Sequence, residues 1–201
     1  MILTKKQNGQ KKLTQTTPKL QVDKHGEWLE GVRKIISPNC DQRPDDAELD
    51  LLVIHSISLP PGEFGGDYID QLFTNSLDPD HHPYFKEVAS HRVSAHILIN
   101  RVGELTQYVS FNQRAWHAGE SEFEGQTNCN DYSIGIELEG CNSKDFTQAQ
   151  YEMLINITSA ILQFWPKITK QRIAGHCHIA PDRKTDPGPT FNWDSYYSSL
   201  V

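Results

Sequence analysis

Four consecutive apolar residues, Leu51-Leu52-Val53-Ile54, stand between polar flanks and stop at His55. A short run without alternation predicts a strand buried on both faces, as in a sheet covered by helices. Ala95-His96-Ile97-Leu98-Ile99 and Leu105-Thr106-Gln107-Tyr108-Val109 predict two more strands, joined at Val102-Gly103 as an antiparallel hairpin. Ser133-Ile134-Gly135-Ile136-Glu137-Leu138 predicts another, and the side-chain period of two puts Glu137 and Glu139 on one face. Over residues 147–165, Tyr151, Leu154, Ile155, Thr158, Ile161, Leu162 and Trp165 recur at helical spacing. Thr147 and Gln150 are placed for a capping box, and Pro166 ends the pattern. Shorter helices are predicted over residues 27–34, 68–73 and 84–89, and a last strand over 172–175, opening into a polar, proline-rich loop. The sum is an α/β domain with a mixed central β-sheet packed with helices.

With 201 residues the chain suits one domain with a sizeable core. The first twenty residues carry five lysines and no acid in a Gln- and Thr-rich context, so residues 1–21 are expected to be a disordered basic tail before a single domain over 22–201. The tail lacks the apolar core of an export signal, and no stretch approaches a membrane span, which points to the cytoplasm and away from a membrane. A net charge of −7 argues against a module built to grip nucleic acid phosphates. Cys40, Cys129, Cys141 and Cys177 form no C-x-x-C pair and are read as thiols, Cys177 as packing on the face opposite its neighbour His176.

The chemistry lies with histidine and carboxylate. Neither a phosphate-cradling glycine motif nor G-x-S-x-G occurs. His55 ends the buried strand, His176 begins the polar loop, and Asp186 follows ten residues later, stiffened by Pro187-Gly188. Two imidazoles and a carboxylate suit zinc and leave a fourth tetrahedral position for water. Spacing alone does not select this trio: His178 makes an H-x-H with His176, His96 reads as a core histidine, His81, His82 and His91 as surface groups, and His117 as a partner of Trp116 or of its own loop. Glu137 and Glu139 could equally be drawn as a glycosidase pair.

The stretch from Leu52 to Gly66, together with Arg92-Val93-Ser94-Ala95-His96, Arg114-Ala115-Trp116-His117-Ala118-Gly119, Ser133 through Gly140 and Gly175-His176 through Gly188, resembles the AmpD-type cytoplasmic amidases. These are zinc-dependent 1,6-anhydro-N-acetylmuramyl-L-alanine amidases, a branch of the type 2 N-acetylmuramoyl-L-alanine amidases. The resemblance covers roughly residues 27–201. It implies a fold like that of peptidoglycan recognition proteins and T7 lysozyme-like amidases. It also implies zinc on His55, His176 and Asp186, a catalytic glutamate at Glu137, a lysine at Lys184, and pocket residues at Arg92, Ala115 and Trp116. The implied substrate is a muropeptide, cut between the lactyl group of (1,6-anhydro)N-acetylmuramic acid and L-alanine during cytosolic peptidoglycan recycling, with no obligate protein partner. Relatives commonly carry Asn where Ser56 stands, and many carry Arg where Asn128 stands; loss of that cation implies a weaker hold on the peptide's carboxylates. A binding module of the same fold usually lacks a zinc ligand, an amidase of the intact wall needs export, and a glycosidase needs no metal.

Overall fold

The structure, a computed structural model, describes residues 19–200. The chain runs through β1 (Arg33–Lys34), β2 (Cys40–Gln42), β3 (Leu51–Ile57), α1 (Tyr68–Phe73), α2 (Phe85–Val88), β4 (Ile97–Ile99), β5 (Leu105–Gln107) and β6 (Gln113–Ala115). A small hairpin follows, β7 (Glu122–Phe123) and β8 (Gln126–Thr127), then β9 (Ser133–Glu139), α3 (Gln148–Phe164), β10 (Ile173–Gly175), α4 (His176–Ile179) and α5 (Trp193–Ser199). Six strands form one sheet in the order β1-β5-β4-β9-β3-β10. Only β4 and β5 pair antiparallel within it, as the predicted hairpin requires.

Alternation along the two central strands decides what each face of the sheet carries. Leu52 and Ile54 of β3, with Ile134, Ile136 and Leu138 of β9, enter the cluster that α3 covers through Leu154, Ile157 and Ile161. Each fully buried aliphatic side chain contributes roughly 1.5–3 kcal/mol by leaving water. Leu51 and Val53 point the other way, into a smaller cluster with Ala118, Cys129 and Tyr132. By the same parity His55, Gly135 and Glu137 face away from α3. A third cluster seats α1 and α2 through Leu72, Phe73, Phe85 and Val88.

The long helix keeps its predicted cap: Thr147 Oγ1 accepts from the Gln150 amide at 3.1 Å and Gln150 Oε1 from the Thr147 amide at 3.0 Å. Two expectations need correction. Residues 27–34 form no helix, because Gly26 and Gly31 turn the chain at φ of +71° and Asp23 takes the amides of His25, Glu27 and Trp28 on its carboxylate. Arg33 and Lys34 instead add a parallel strand to β5. Residues 176–179 are a helical turn rather than loop, with the Gly175 amide donating to His178 Nδ1 at 3.0 Å. The opposite-face argument for Cys177 therefore does not hold; its thiol is half-buried and burial pushes its pKa up. All four cysteines are free.

Most of the expected basic tail, residues 1–18, lies outside the described residues. Within them, Leu20 packs against the main core and its amide donates to Asn156 Oδ1 at 3.1 Å. No helix among the described residues is long and apolar enough to cross a membrane.

Candidate active site

Three neighbouring parallel strands deliver the site at their C-terminal ends, where open α/β sheets present their crevices. Register sets His55 of β3 directly beside Glu137 of β9. On the other side, Gly175 of β10 pairs with Ile54, so the next residue, His176, emerges beside His55. Asp186 returns to the same point because its carbonyl accepts from the Cys177 amide at 2.9 Å. Gly175 permits that return, since a Cβ there would stand 2.8 Å from Cδ of Pro187.

His55 Nδ1, His176 Nδ1 and Asp186 Oδ2 form a nearly equilateral triangle with sides of 3.0, 3.1 and 3.1 Å. Among the described residues this is the one converging group of three metal-competent side chains. His176 Nε2 lies 3.0 Å from the Ala118 carbonyl, which can only accept, so the imidazole proton sits on Nε2. Its bare Nδ1 then faces a carboxylate oxygen. Two lone pairs at that distance repel unless a cation lies between them, and ligands at zinc distances of about 2.0–2.2 Å span tetrahedral edges of about 3.3–3.6 Å. The donor set thus fits a metal ion within a few tenths of an ångström. Burial pushes the His55 pKa down to about 4, against the opposing pull of Asp186, which leaves a neutral imidazole at neutral pH.

Glu137 points into the same space. Its Oε2 is buried and without a hydrogen-bond partner. Burial first, then the Asp186 charge, holds its carboxyl well above the ordinary 4.5, with Lys184 pulling the other way. A carboxyl poised upward beside a candidate metal site is suited to pass a proton both ways.

The site opens on a groove of about 340 Å³ with an apolar wall that includes Leu59, Leu72, Tyr84, Val88 and Trp116. A polar arm of about 580 Å³ continues past Ser58, Asn142, Arg183 and Thr185. Ser56, Lys184 and Asp186 line both. Trp116 is fixed by its indole N–H donating to Asp41 Oδ1 at 3.0 Å. Ala115 is fully buried in the cluster under α1 and α2, and Arg92 is exposed between the groove residues His91 and Val93. Of the three expected pocket residues, Trp116 is the one whose side chain lines the groove.

The other histidines separate cleanly. His178 is taken up by Gly175 and lies against Trp193; His96 is buried, its Nδ1 accepting from the Gly135 amide at 3.0 Å. His91, read as a surface group, lines the groove. The guanidinium of Arg183 donates to the carbonyls of Ala118 at 2.7 Å and Glu120 at 2.6 Å, fixing the carbonyl that orients His176. Arg43 reaches inward to the carbonyls of Phe111, Asn130, Asp131 and Ser133, and burial pushes its pKa down to about 10. Glu139 is not a second glycosidase acid: its carboxylate accepts the amides of Gly65 at 2.5 Å and Arg101 at 2.9 Å. Only the basic residue type at 43 and 183 hinted at these contacts.

Residues 45–189 match the model of the N-acetylmuramoyl-L-alanine amidase family. The chain is 58% identical over 166 residues to the 1,6-anhydro-N-acetylmuramyl-L-alanine amidase AmpD of Escherichia coli K12, covering 83% of this chain and 90% of that one. A crystal structure of a selenomethionine AmpD derivative superposes with a TM-score of 0.84 at 53% identity, over 87% of this chain and 97% of the other. The Escherichia coli amidase AmiD, solved with anhydro-N-acetylmuramic acid-L-Ala-D-gamma-Glu-L-Lys, gives a TM-score of 0.58 at 27% identity, over 91% of this chain and 66% of that one.

Proposed function

The chain belongs to the N-acetylmuramoyl-L-alanine amidase family, and from that premise we propose that it hydrolyses the amide between the lactyl group of anhydro-N-acetylmuramic acid and L-alanine in cytosolic muropeptides, using zinc. The observation that carries this is the triangle of His55, His176 and Asp186 donor atoms with the unpartnered Glu137 carboxylate beside it. A zinc ion held there supplies a Lewis acid and lowers the pKa of a water towards about 7.

The chain's own residues do the rest. Glu137 takes the proton of the attacking water and returns it to the departing alanine nitrogen, so one carboxyl serves as base and then acid. Its raised pKa suits both roles, since the proton is held strongly enough to be delivered and weakly enough to be given up. Lys184, lining both arms beside Asp186, places positive charge where the tetrahedral oxyanion develops. Trp116 offers an indole face in the groove for the sugar, and Arg92 offers a cation at its rim for a peptide carboxylate.

Mass spectrometry of products from anhydromuramyl-tripeptide tests the reading. Intact tripeptide and anhydromuramic sugar are expected, abolished by a chelator and restored by zinc. Binding of the muropeptide with neither zinc nor cleavage would replace the enzyme with a recognition module.

A further inference from the structure

His117 takes no part in the reaction described above, yet its imidazole is buried and both of its ring nitrogens are engaged. Its Nδ1 lies 2.9 Å from Nε2 of His55, and the two rings meet edge to face with centroids 5.0 Å apart. Its Nε2 lies 3.3 Å from Ser133 Oγ. Ser133 in turn approaches the Cys129 carbonyl at 2.5 Å.

The direction of every proton in this chain follows from its last member. A carbonyl only accepts, so the Ser133 hydroxyl donates to Cys129 and leaves its lone pairs for His117. His117 therefore carries its proton on Nε2, towards Ser133, and presents a bare Nδ1 to His55. His55 must then carry its own proton on Nε2, which leaves its Nδ1 bare at the corner of the triangle. The other tautomer of His117 would set two acceptors against each other at Ser133.

The backbone holds the ring in this pose. The His117 and Ala118 amides both donate to Asn130 Oδ1, at 3.1 and 2.8 Å. The ring lies so close on β9 that a Cβ at Gly135 would stand 2.5 Å from its Cγ. Ser133, Gly135 and Glu137 are alternate residues of β9, so one strand face sets the tautomer, seats the ring and supplies the acid–base group.

We propose that His117 is a positioning residue for His55: by accepting the His55 Nε2 proton under the control of Ser133, it keeps His55 Nδ1 bare and aimed at His176 and Asp186. A ligating histidine is ordinarily oriented by a carboxylate, a carbonyl or water, and loss of such a partner costs roughly 10–100-fold in metal affinity. Here a second, neutral imidazole does the work, and its direction depends on a hydroxyl two hydrogen bonds away from the metal site.

The inference rests on the zinc reading of the site, and the test separates the two. Zinc affinity is measured for the full chain by competition with a chromophoric chelator, beside His117→Leu, His117→Asn and Ser133→Ala. His117→Leu is expected to weaken zinc binding by roughly 10–100-fold, while His117→Asn, whose Oδ1 stands near the position of Nδ1, recovers most of it. Ser133→Ala is expected to give an intermediate loss. Long-range proton–nitrogen NMR of the wild-type zinc form gives a readout that needs no variant: His55 and His117 are both expected as Nε2–H tautomers. An Nδ1–H tautomer at His117, or wild-type affinity in a folded His117→Leu, overturns the proposal and leaves the zinc site standing. A wild-type chain that binds no zinc overturns both.

Discussion

At the scale of single residues, function is bought against stability at Glu137. Its Oε2 is buried without a partner, and its carboxyl is held well above 4.5 by burial and by Asp186. A carboxyl whose folded pKa is raised contributes stability that is fully present below the unfolded value and is lost as pH rises through the folded one. Glu137→Gln removes the charge and keeps the shape. In the chelated protein it is expected to raise the melting temperature at pH 7 over wild type, with the gain vanishing below about pH 4.5. The same variant should retain zinc and lose turnover by roughly two or more orders of magnitude. A scan of melting temperature against pH, with metal analysis and a turnover assay, checks all three. His176→Ala is expected to lose metal and turnover together, since it removes a corner of the triangle.

At the scale of elements, the same strand that carries Glu137 ends on Glu139, whose two oxygens hold the Gly65 and Arg101 amides. It thereby pins the loop that gives Leu59 and Pro61 to the groove wall. Glu139→Gln turns one accepting oxygen into a donor facing an amide, a loss of about 1–3 kcal/mol when a buried group goes unpaired. The expected kinetic result is a raised KM with a smaller change in kcat, because the wall is loosened while the metal corner is untouched. By contrast, Thr147→Ala removes only the cap of α3. It should cost about 0.5–2 kcal/mol in denaturant melts with zinc affinity unchanged.

For the whole molecule, three strands and the returning loop meet at one point, so an ion there would bind the native fold and not the unfolded chain. Free zinc at a hundred times its dissociation constant is expected to add about 2.7 kcal/mol of stability. For a chain of this size that is a rise in melting temperature on the order of 5–10 °C. Calorimetry with and without a chelator measures it, and His176→Ala should show no comparable shift.

What near neighbours in the chain determine was legible in advance: the buried β3, the β4–β5 hairpin, alternation along β9, and the capped α3 all follow from periods of two or 3.6 and from local hydrogen bonds. The trio of His55, His176 and Asp186 that the structure brings together was reachable from the sequence through family resemblance, while spacing left it one choice among several. Tertiary structure decided the rest, because register between strands and the closure of long loops are not written in any local period. Pairing of Gly175 with Ile54 brings His176 to His55, and pairing of His55 with Glu137 brings that carboxyl to both. The failed helix over residues 27–34 lost to glycine turns and an aspartate cap, and the contacts of Arg43, Arg183 and His117 exist only once distant carbonyls and rings surround them.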